Sequence, residues 1–297
     1  MNGSPEPLPR SYLYCPGDRP DRLARAHSRG ADAVIADLED AVHPDRKDAA
    51  RRAVADWLAA AQPRGETWVR VNADTPHALA ADVAATMTAG VRGAVLPKAE
   101  PAAVTALAGL LADRERALGR PTGSFAVIAV IETARGLLAA PELAAAPRVL
   151  RMGFGLADLA AELGAAADLE VLRPLLLQVV VASAAAGIAP PVGPASVMID
   201  DAEGLRDSTA DLRRLGFRAR SAIHPGQVPV INDEFTPTEA EVTRARAIVA
   251  AAEAAAERGE GVATDSDGRM LDVAVVRSSR AVLQQAARHS GPGGRAG

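Results

Sequence analysis

The chain has 297 residues, with 33 basic against 37 acidic for a net charge of −4, and 48% of its positions are hydrophobic. That is a soluble globular composition, long enough for one large domain with an appendage or for two ordinary domains. One cysteine, Cys15, excludes a disulfide scaffold, and mild acidity without a block of like charge gives no electrostatic reason to expect nucleic acid or an anionic membrane as partner, which leaves a small-molecule substrate.

Residues 1–10 are polar, carry three prolines and lack an apolar core. No secretory signal is read there, the segment is expected to be disordered, and cytoplasm follows by default. Short β-rich runs then alternate with longer helical ones, the pattern of a parallel sheet. Strands are predicted at 11–15, 33–38, 67–71, 93–96, 125–131, 149–154, 195–199 and 220–223. Gly30, Gly90, Gly119, Gly187 and Gly216 close helical stretches where a left-handed C-terminal cap belongs. The uncharged stretch 175–199 has the length of a membrane span, but Pro190, Pro191, Gly193 and Pro194 break it, and it reads as a buried helix, a turn and a strand. Eight units in about 225 residues match a (β/α)₈ barrel, whereas a doubly wound sheet would show fewer strands and a glycine-rich loop after the first. The Cys15-Pro16-Gly17-Asp18 turn holds a single glycine, and there is no phosphate-binding G-x-x-x-x-G-K-[ST]. The expected fold is therefore α/β, a (β/α)₈ TIM barrel over 11–257. Thr238 and Glu241 make a capping box for its closing alanine-rich helix. Apolar periodicity returns through Leu271, Val275, Val276 and Leu283, so 258–289 is expected to be a lid or subunit-contact segment, with a disordered tail at 290–297.

Active sites of such barrels form at the C-terminal ends of the strands. The polar residues there are mostly acidic: Asp37, Glu39 and Asp40 after the second strand, Glu132 after the fifth and Asp158 after the sixth. One or two carboxylates with open positions for water and substrate suit Mg²⁺. Alternatively Glu132 and Asp158 cap the following helices or pair with an arginine such as Arg135, although so many like charges on one rim repel unless a cation or arginines offset them. Strand alternation puts Arg70 on the side of Trp68 and Asn72, where it can hold a carboxylate or a developing enolate oxygen, or neutralise the acidic cluster. Only Lys47 and Lys98 of the 33 basic residues are lysine, a composition bias. Lys98 stands where a Schiff-base nucleophile would, but acidic neighbours stabilise its charged form, so an electrostatic role is expected. Cys15 reads as a packed thiol. His224 either supports its neighbours and caps a helix or takes part in catalysis, and His27, His43, His77 and His289 lack metal-ligand spacing.

The segments Ser11-Tyr-Leu-Tyr-Cys-Pro-Gly-Asp, Ala33-Val-Ile-Ala-Asp-Leu-Glu-Asp-Ala-Val, Val69-Arg-Val-Asn, Leu96-Pro-Lys, Ile131-Glu-Thr, Gly155-Leu-Ala-Asp-Leu, Ala222-Ile-His-Pro and Gly268-Arg-Met-Leu-Asp-Val run in order over about residues 10–285. They resemble the citrate lyase β-subunit-like family, the CoA ester lyase branch of the HpcH/HpaI aldolase superfamily. The resemblance implies a barrel dependent on Mg²⁺, with Mn²⁺ as a substitute, that cleaves or forms a carbon–carbon bond in a 3-hydroxyacyl-CoA such as malyl-, citramalyl- or citryl-CoA. By motif, Glu132 and Asp158 would bind the metal, Arg70 would hold the substrate oxyanion, and Glu39 and Asp40 would order metal-bound water. Asp272 would reach a neighbouring subunit's site as acid/base in a homo-oligomer, a trimer or a multiple of one. Many relatives carry an acidic residue where this chain has Ala157. The expected catalytic set is Arg70, Asp272, Asp37 and Lys98, with Arg70, Pro16, Gly17 and Asn72 at the substrate and Glu39, Asp40 and His224 supporting the metal ligands. Two other activities use the same groups: a thioesterase on the same acyl-CoA, and a citrate lyase subunit acting on an acyl-carrier-protein thioester.

Overall fold

The computed structural model describes residues 8–60, 65–259, 263–264 and 269–289. Eight parallel strands close into a barrel: β1 (Ser11–Pro16), β2 (Ala33–Asp37), β3 (Glu66–Arg70), β4 (Gly93–Leu96), β5 (Ala126–Ile131), β6 (Val149–Phe154), β7 (Val192–Gly193) and β8 (Ala219–Ala222). They pair in chain order, and β8 returns to β1. Runs such as Ala-Val-Ile-Ala-Val-Ile in β5 are buried along their whole length, as expected of strands covered on both faces. This is the expected (β/α)₈ TIM barrel.

Inside the barrel, Tyr12, Ile35, Trp68 and Val130 pack in one apolar cluster, with Trp68 edge-on to Tyr12 at 6.4 Å between ring centres. Side chains two positions apart share a strand face. The residues two further along are Tyr14, Asp37, Arg70 and Glu132, so the sequence that fills the core also sets the polar layer above it. The β2–β3 register pairs Asp37 directly with Arg70.

Several boundaries differ from expectation. The seventh strand is Val192–Gly193 rather than 195–199. Pro190, Pro191 and Pro194 lack the N–H a ladder needs, and Arg220 of β8 donates from Nε to Pro194 O at 3.0 Å just past the strand's end. Val197, Met198 and Ile199, which suggested a strand, are exposed. Gly30, Gly119, Gly187 and Gly216 adopt positive φ as expected, but Gly90 does not, because the helix Pro76–Thr86 already ends at Met87 in an extended conformation. Arg10 is not disordered: its guanidinium donates twice to Asp32 at 2.8 Å. The tail 290–297 and residues 1–7 lie outside the described residues.

The chain divides into two compact units, one spanning Pro9–Asp233 and one beginning at Glu234. The division thus falls well before 257, and the helix expected to close the barrel belongs to the second unit. That helix, Glu239–Glu257, starts at the expected Thr238/Glu241 capping box. A two-residue antiparallel pairing of Ala263–Thr264 with Met270–Leu271 follows, then the helix Val273–His289. Leu271 and Ala255 are buried together against Ile248 and Val276. Among the described residues no helix is long and apolar enough to cross a membrane.

Glycine placement gives a two-sided test of the barrel. A Cβ on Gly93 would lie 1.9 Å from the Ala126 carbonyl oxygen on β5, whereas one on Gly109, inside the helix Pro101–Ala117, meets nothing within 4 Å. Gly93→Ala is expected to destabilise by about 3 kcal/mol or more, and Gly109→Ala to stabilise by about 0.5–1 kcal/mol, both read by urea denaturation.

Candidate active site

A cleft of about 1270 Å³ opens at the C-terminal end of the barrel, and Tyr14, Asp37, Arg70, Glu132, Asp158 and His224 contribute to its wall. Arg70 ends β3 and meets Asp37 in a two-pronged ion pair, Nε to Oδ1 at 2.7 Å and Nη2 to Oδ2 at 2.6 Å. Its remaining nitrogen, Nη1, lies 2.8 Å from Glu39 Oε2 and 3.9 Å from Asp40, and the Tyr14 ring lies 5.0 Å from the guanidinium carbon. Arg70 therefore does neutralise the acidic cluster, and it remains in the cleft wall while doing so.

The turn after β2 is fixed at each peptide. Gly17 N donates to Asp37 O at 2.8 Å and Leu38 N to Arg70 O at 3.0 Å, while Glu39 N donates to Asp37 Oδ1 at 2.9 Å. A Cβ on Gly17 would come within 2.7 Å of Asp37 O, so only glycine permits this approach between the β1 and β2 ends. Gly17 is thus a backbone spacer, and Pro16 beside it reaches the cleft wall. Lys98 takes a left-handed backbone at φ 46°, which a lysine adopts only when its surroundings impose it. The result is that its backbone N donates to Glu132 Oε1 at 2.7 Å while Nζ donates to Glu39 Oε1 at 2.9 Å. Burial works against the ammonium, but the hydrogen bond and charge of Glu39 prevail and raise its pKa, which disfavours a neutral nucleophile.

Glu132 is 5% exposed. Burial above all, then the charges of Glu39 and Asp158, push its carboxyl up to about 7. Gly155 makes room for it, since a Cβ there would lie 2.4 Å from Glu132 Oε2. Asp158 is exposed in the first turn of the helix Leu156–Leu163. Glu39 is also raised by burial, against the opposing charge of Arg70 and Lys98. Its Oε2 is buried without a hydrogen-bond donor despite the close Arg70 nitrogen. Among the described residues no three His, Cys, Asp or Glu side chains converge as a metal cage.

His224 caps the turn Pro225–Gln227 through Nδ1, which accepts from Gly226 N at 3.2 Å, so the capping role is observed. Asn72 is not free for substrate as expected: it is buried, and both its backbone N and Nδ2 donate to Asp82 Oδ2 at 2.7 Å. Cys15 is buried, and burial pushes its thiol up to about 11, in keeping with a packed thiol. Asp272 lies in the second unit, exposed, and caps the last helix through a 2.8 Å bond from Val275 N. Tyr14 and Gly155 escaped sequence reading because contacts across strands leave no local mark. Arg19, Arg22, Arg25 and Arg29, which also line the cleft, did leave one: a spacing of three to four residues, with Arg22 and Arg25 on the helix Pro20–Ala26, Arg19 just before it and Arg29 in the turn that follows.

Residues 10–225 match the family model of the HpcH/HpaI aldolase/citrate lyase family. The chain belongs to this family. It is 34% identical to the citrate lyase subunit beta of Leuconostoc mesenteroides subsp. cremoris over 95% of its length and 94% of that protein. It is also 34% identical to the L-malyl-CoA/beta-methylmalyl-CoA lyase of Cereibacter sphaeroides, over 93% and 94% of the two chains. Its structure resembles that of CitE from Mycobacterium tuberculosis in complex with magnesium, acetoacetate and coenzyme A, with a TM-score of 0.74 at 32% identity, covering 96% of this chain and 99% of that one.

A carboxyl whose folded pKa lies above its ordinary value costs stability once ionised, so in the absence of metal Glu132 weakens the fold as pH rises from 4.5 towards 7. With EDTA present, Glu132→Gln is expected to raise unfolding free energy at pH 8 by on the order of 2 kcal/mol and to leave it nearly unchanged at about pH 4, below the ordinary carboxyl value. Chemical denaturation at both pH values reads the difference.

Proposed function

We propose that the chain is a Mg²⁺-dependent carbon–carbon lyase that cleaves or forms a 3-hydroxyacyl-CoA of the malyl, citramalyl or citryl type, yielding acetyl-CoA and a 2-keto acid. The observation that carries this reading is the placement of Glu132 and Asp158 in one cleft wall with Arg70, where burial and the charges of Glu39 and Asp158 make Glu132 costly to ionise until a cation offsets them. The buried Glu132 carboxylate beside the exposed Asp158 suits a hard divalent cation with water in its shell. Magnesium and coenzyme A in the related CitE structure support the same choice. When bound, Mg²⁺ supplies Lewis acidity towards the substrate's hydroxyl and carboxylate oxygens.

Each remaining task has a residue. Arg70, held by Asp37 and Glu39 so that it cannot swing away, is assigned to the thioester oxygen that becomes an enolate oxygen as the C2–C3 bond breaks. Asp37 anchors Arg70 through its two-pronged ion pair, and the exposed Asp272 from a neighbouring copy is assigned as the acid/base that accepts the 3-hydroxyl proton and returns one to the enolate carbon. Glu39 and Asp40 orient water, with Lys98 balancing their charge, and Pro16 and His224 shape the rim. The arginines Arg19, Arg22, Arg25 and Arg29 give the CoA phosphates a cationic wall. Asp272 acting in a neighbour requires a homo-oligomer, which we propose to be a trimer or a multiple of one, working in the cytoplasm.

Incubation with malyl-, citramalyl- and citryl-CoA, with Mg²⁺ or EDTA and product identification by mass, tests the reaction. Acetyl-CoA plus glyoxylate, pyruvate or oxaloacetate, lost on chelation, is expected. Free CoA plus a hydroxy acid would establish a thioesterase instead, and inactivity on all three together with turnover of an acyl-carrier-protein thioester would make it a citrate lyase subunit. Glu132→Gln and Asp158→Asn are each expected to weaken Mg²⁺ binding and abolish turnover. Asp272→Asn is expected to abolish turnover with Mg²⁺ binding intact. Co-expressed Asp272→Asn and Glu132→Gln subunits should then recover up to about a quarter of wild-type activity, since random mixing pairs two intact halves at that frequency in a closed ring; no recovery would contradict action in a neighbour.

A further inference from the structure

Both lysines of the chain converge on Glu39. Lys98 Nζ donates to its carboxylate at 2.9 Å, and Lys47 Nζ donates to the carbonyl oxygens of Glu39 and of the preceding Leu38, both at 2.7 Å. Lys47 opens the helix Lys47–Ala60, outside the strand ends, and among the described residues no carboxylate pairs with its ammonium within 4.0 Å. A charged donor on two successive neutral carbonyls is a strong bond that fixes a peptide plane. The other bonds to this turn come from the barrel side: Gly17 N to Asp37 O, Leu38 N to Arg70 O and Glu39 N to Asp37 Oδ1. Lys47 holds the outer side, where Val42 N to Glu39 O is the further bond.

We infer that Lys47 is a positioning residue: by pinning the Leu38 and Glu39 carbonyls it fixes the direction in which the Glu39 carboxylate leaves the turn, and so keeps that carboxylate between Arg70 and Lys98 at the cleft. The strained backbone of Lys98 fits the same account, because the Nζ bond to Glu39 is short only while both ends are held. The role in turnover rests on the lyase reading given above; the role in geometry does not.

The composition supplies the probe. With two lysines in the chain, acetylation by a limiting amount of acetic anhydride, followed by peptide mass spectrometry, reads each ammonium separately. In the wild type Lys98 is half exposed yet held by Glu39, so Glu39→Gln sets the labelling rate of a released Lys98. Lys47→Met is expected to raise Lys98 labelling at least threefold, towards that rate, and to lower kcat by 10- to 100-fold with KM for the acyl-CoA within about twofold. Lys47→Arg, which restores a cationic donor, is expected to give intermediate values of both. Wild-type Lys98 labelling in both variants would overturn the proposal, as would a loss confined to KM. An unfolded Lys47→Met beside a Lys47→Arg indistinguishable from wild type would assign Lys47 to stability alone and overturn it too. If the wild type turns over none of the acyl-CoA esters, the lyase reading fails while the labelling still decides the geometry.

Discussion

The two-pronged ion pair between Arg70 and Asp37 is the bond on which the acidic mouth of this barrel depends. Asp37 is buried at 1% exposure, a position no carboxylate holds without a partner. The β2–β3 register puts that partner directly opposite. With two nitrogens on Asp37, Arg70 has one left, and it faces Glu39 and Asp40. The guanidinium is thus both the counter-ion that lets carboxylates crowd the rim and the cation presented to whatever enters the cleft. Burial disfavours its charge, but its acidic partners prevail, so it stays protonated at any working pH.

The arrangement follows from the two-residue period of the strands. Ile35, Trp68, Tyr12 and Val130 fill the barrel, and the residues two positions on face the mouth with no change of geometry. Rigidity below therefore fixes direction above. At the rim, glycine does what no larger residue can: Gly17 lets the ends of β1 and β2 approach, and Gly155 leaves the space that the Glu132 carboxylate occupies. Family membership is consistent with this layout.

Much of this was legible in the residues. Alternating β-rich and helical runs located seven of eight strands to within a residue or two, and the rule that barrels act at their strand ends then singled out Asp37, Glu39, Arg70, Lys98, Glu132 and Asp158. The failures have physical causes. The seventh strand is two residues between prolines, while the exposed apolar run Val197-Met198-Ile199 after it mimics a strand. Alternation would put Asn72 beside Arg70, but Asn72 lies two residues past the end of β3 at Arg70, far enough for the chain to have left the strand's alternation. Its amide turns to the buried Asp82 instead. Lys47 sits at a helix start, where nothing local marks a side chain that reaches back to a turn eight residues earlier. The division of the chain at Asp233 rather than after 257 reflects packing of the two long C-terminal helices on each other, which periodicity within either helix does not reveal.

In the proposed lyase the crowded carboxylates form a divalent cation site in which Glu132 must lose its proton. Calorimetric titration of the purified protein with Mg²⁺ at pH 6, in two buffers of different ionisation enthalpy, measures binding and proton release together. Saturable binding that releases close to one proton per ion, and that is lost in Glu132→Gln, is the result this account predicts. No binding at millimolar Mg²⁺, or binding that releases no proton and is indifferent to Glu132, would contradict it.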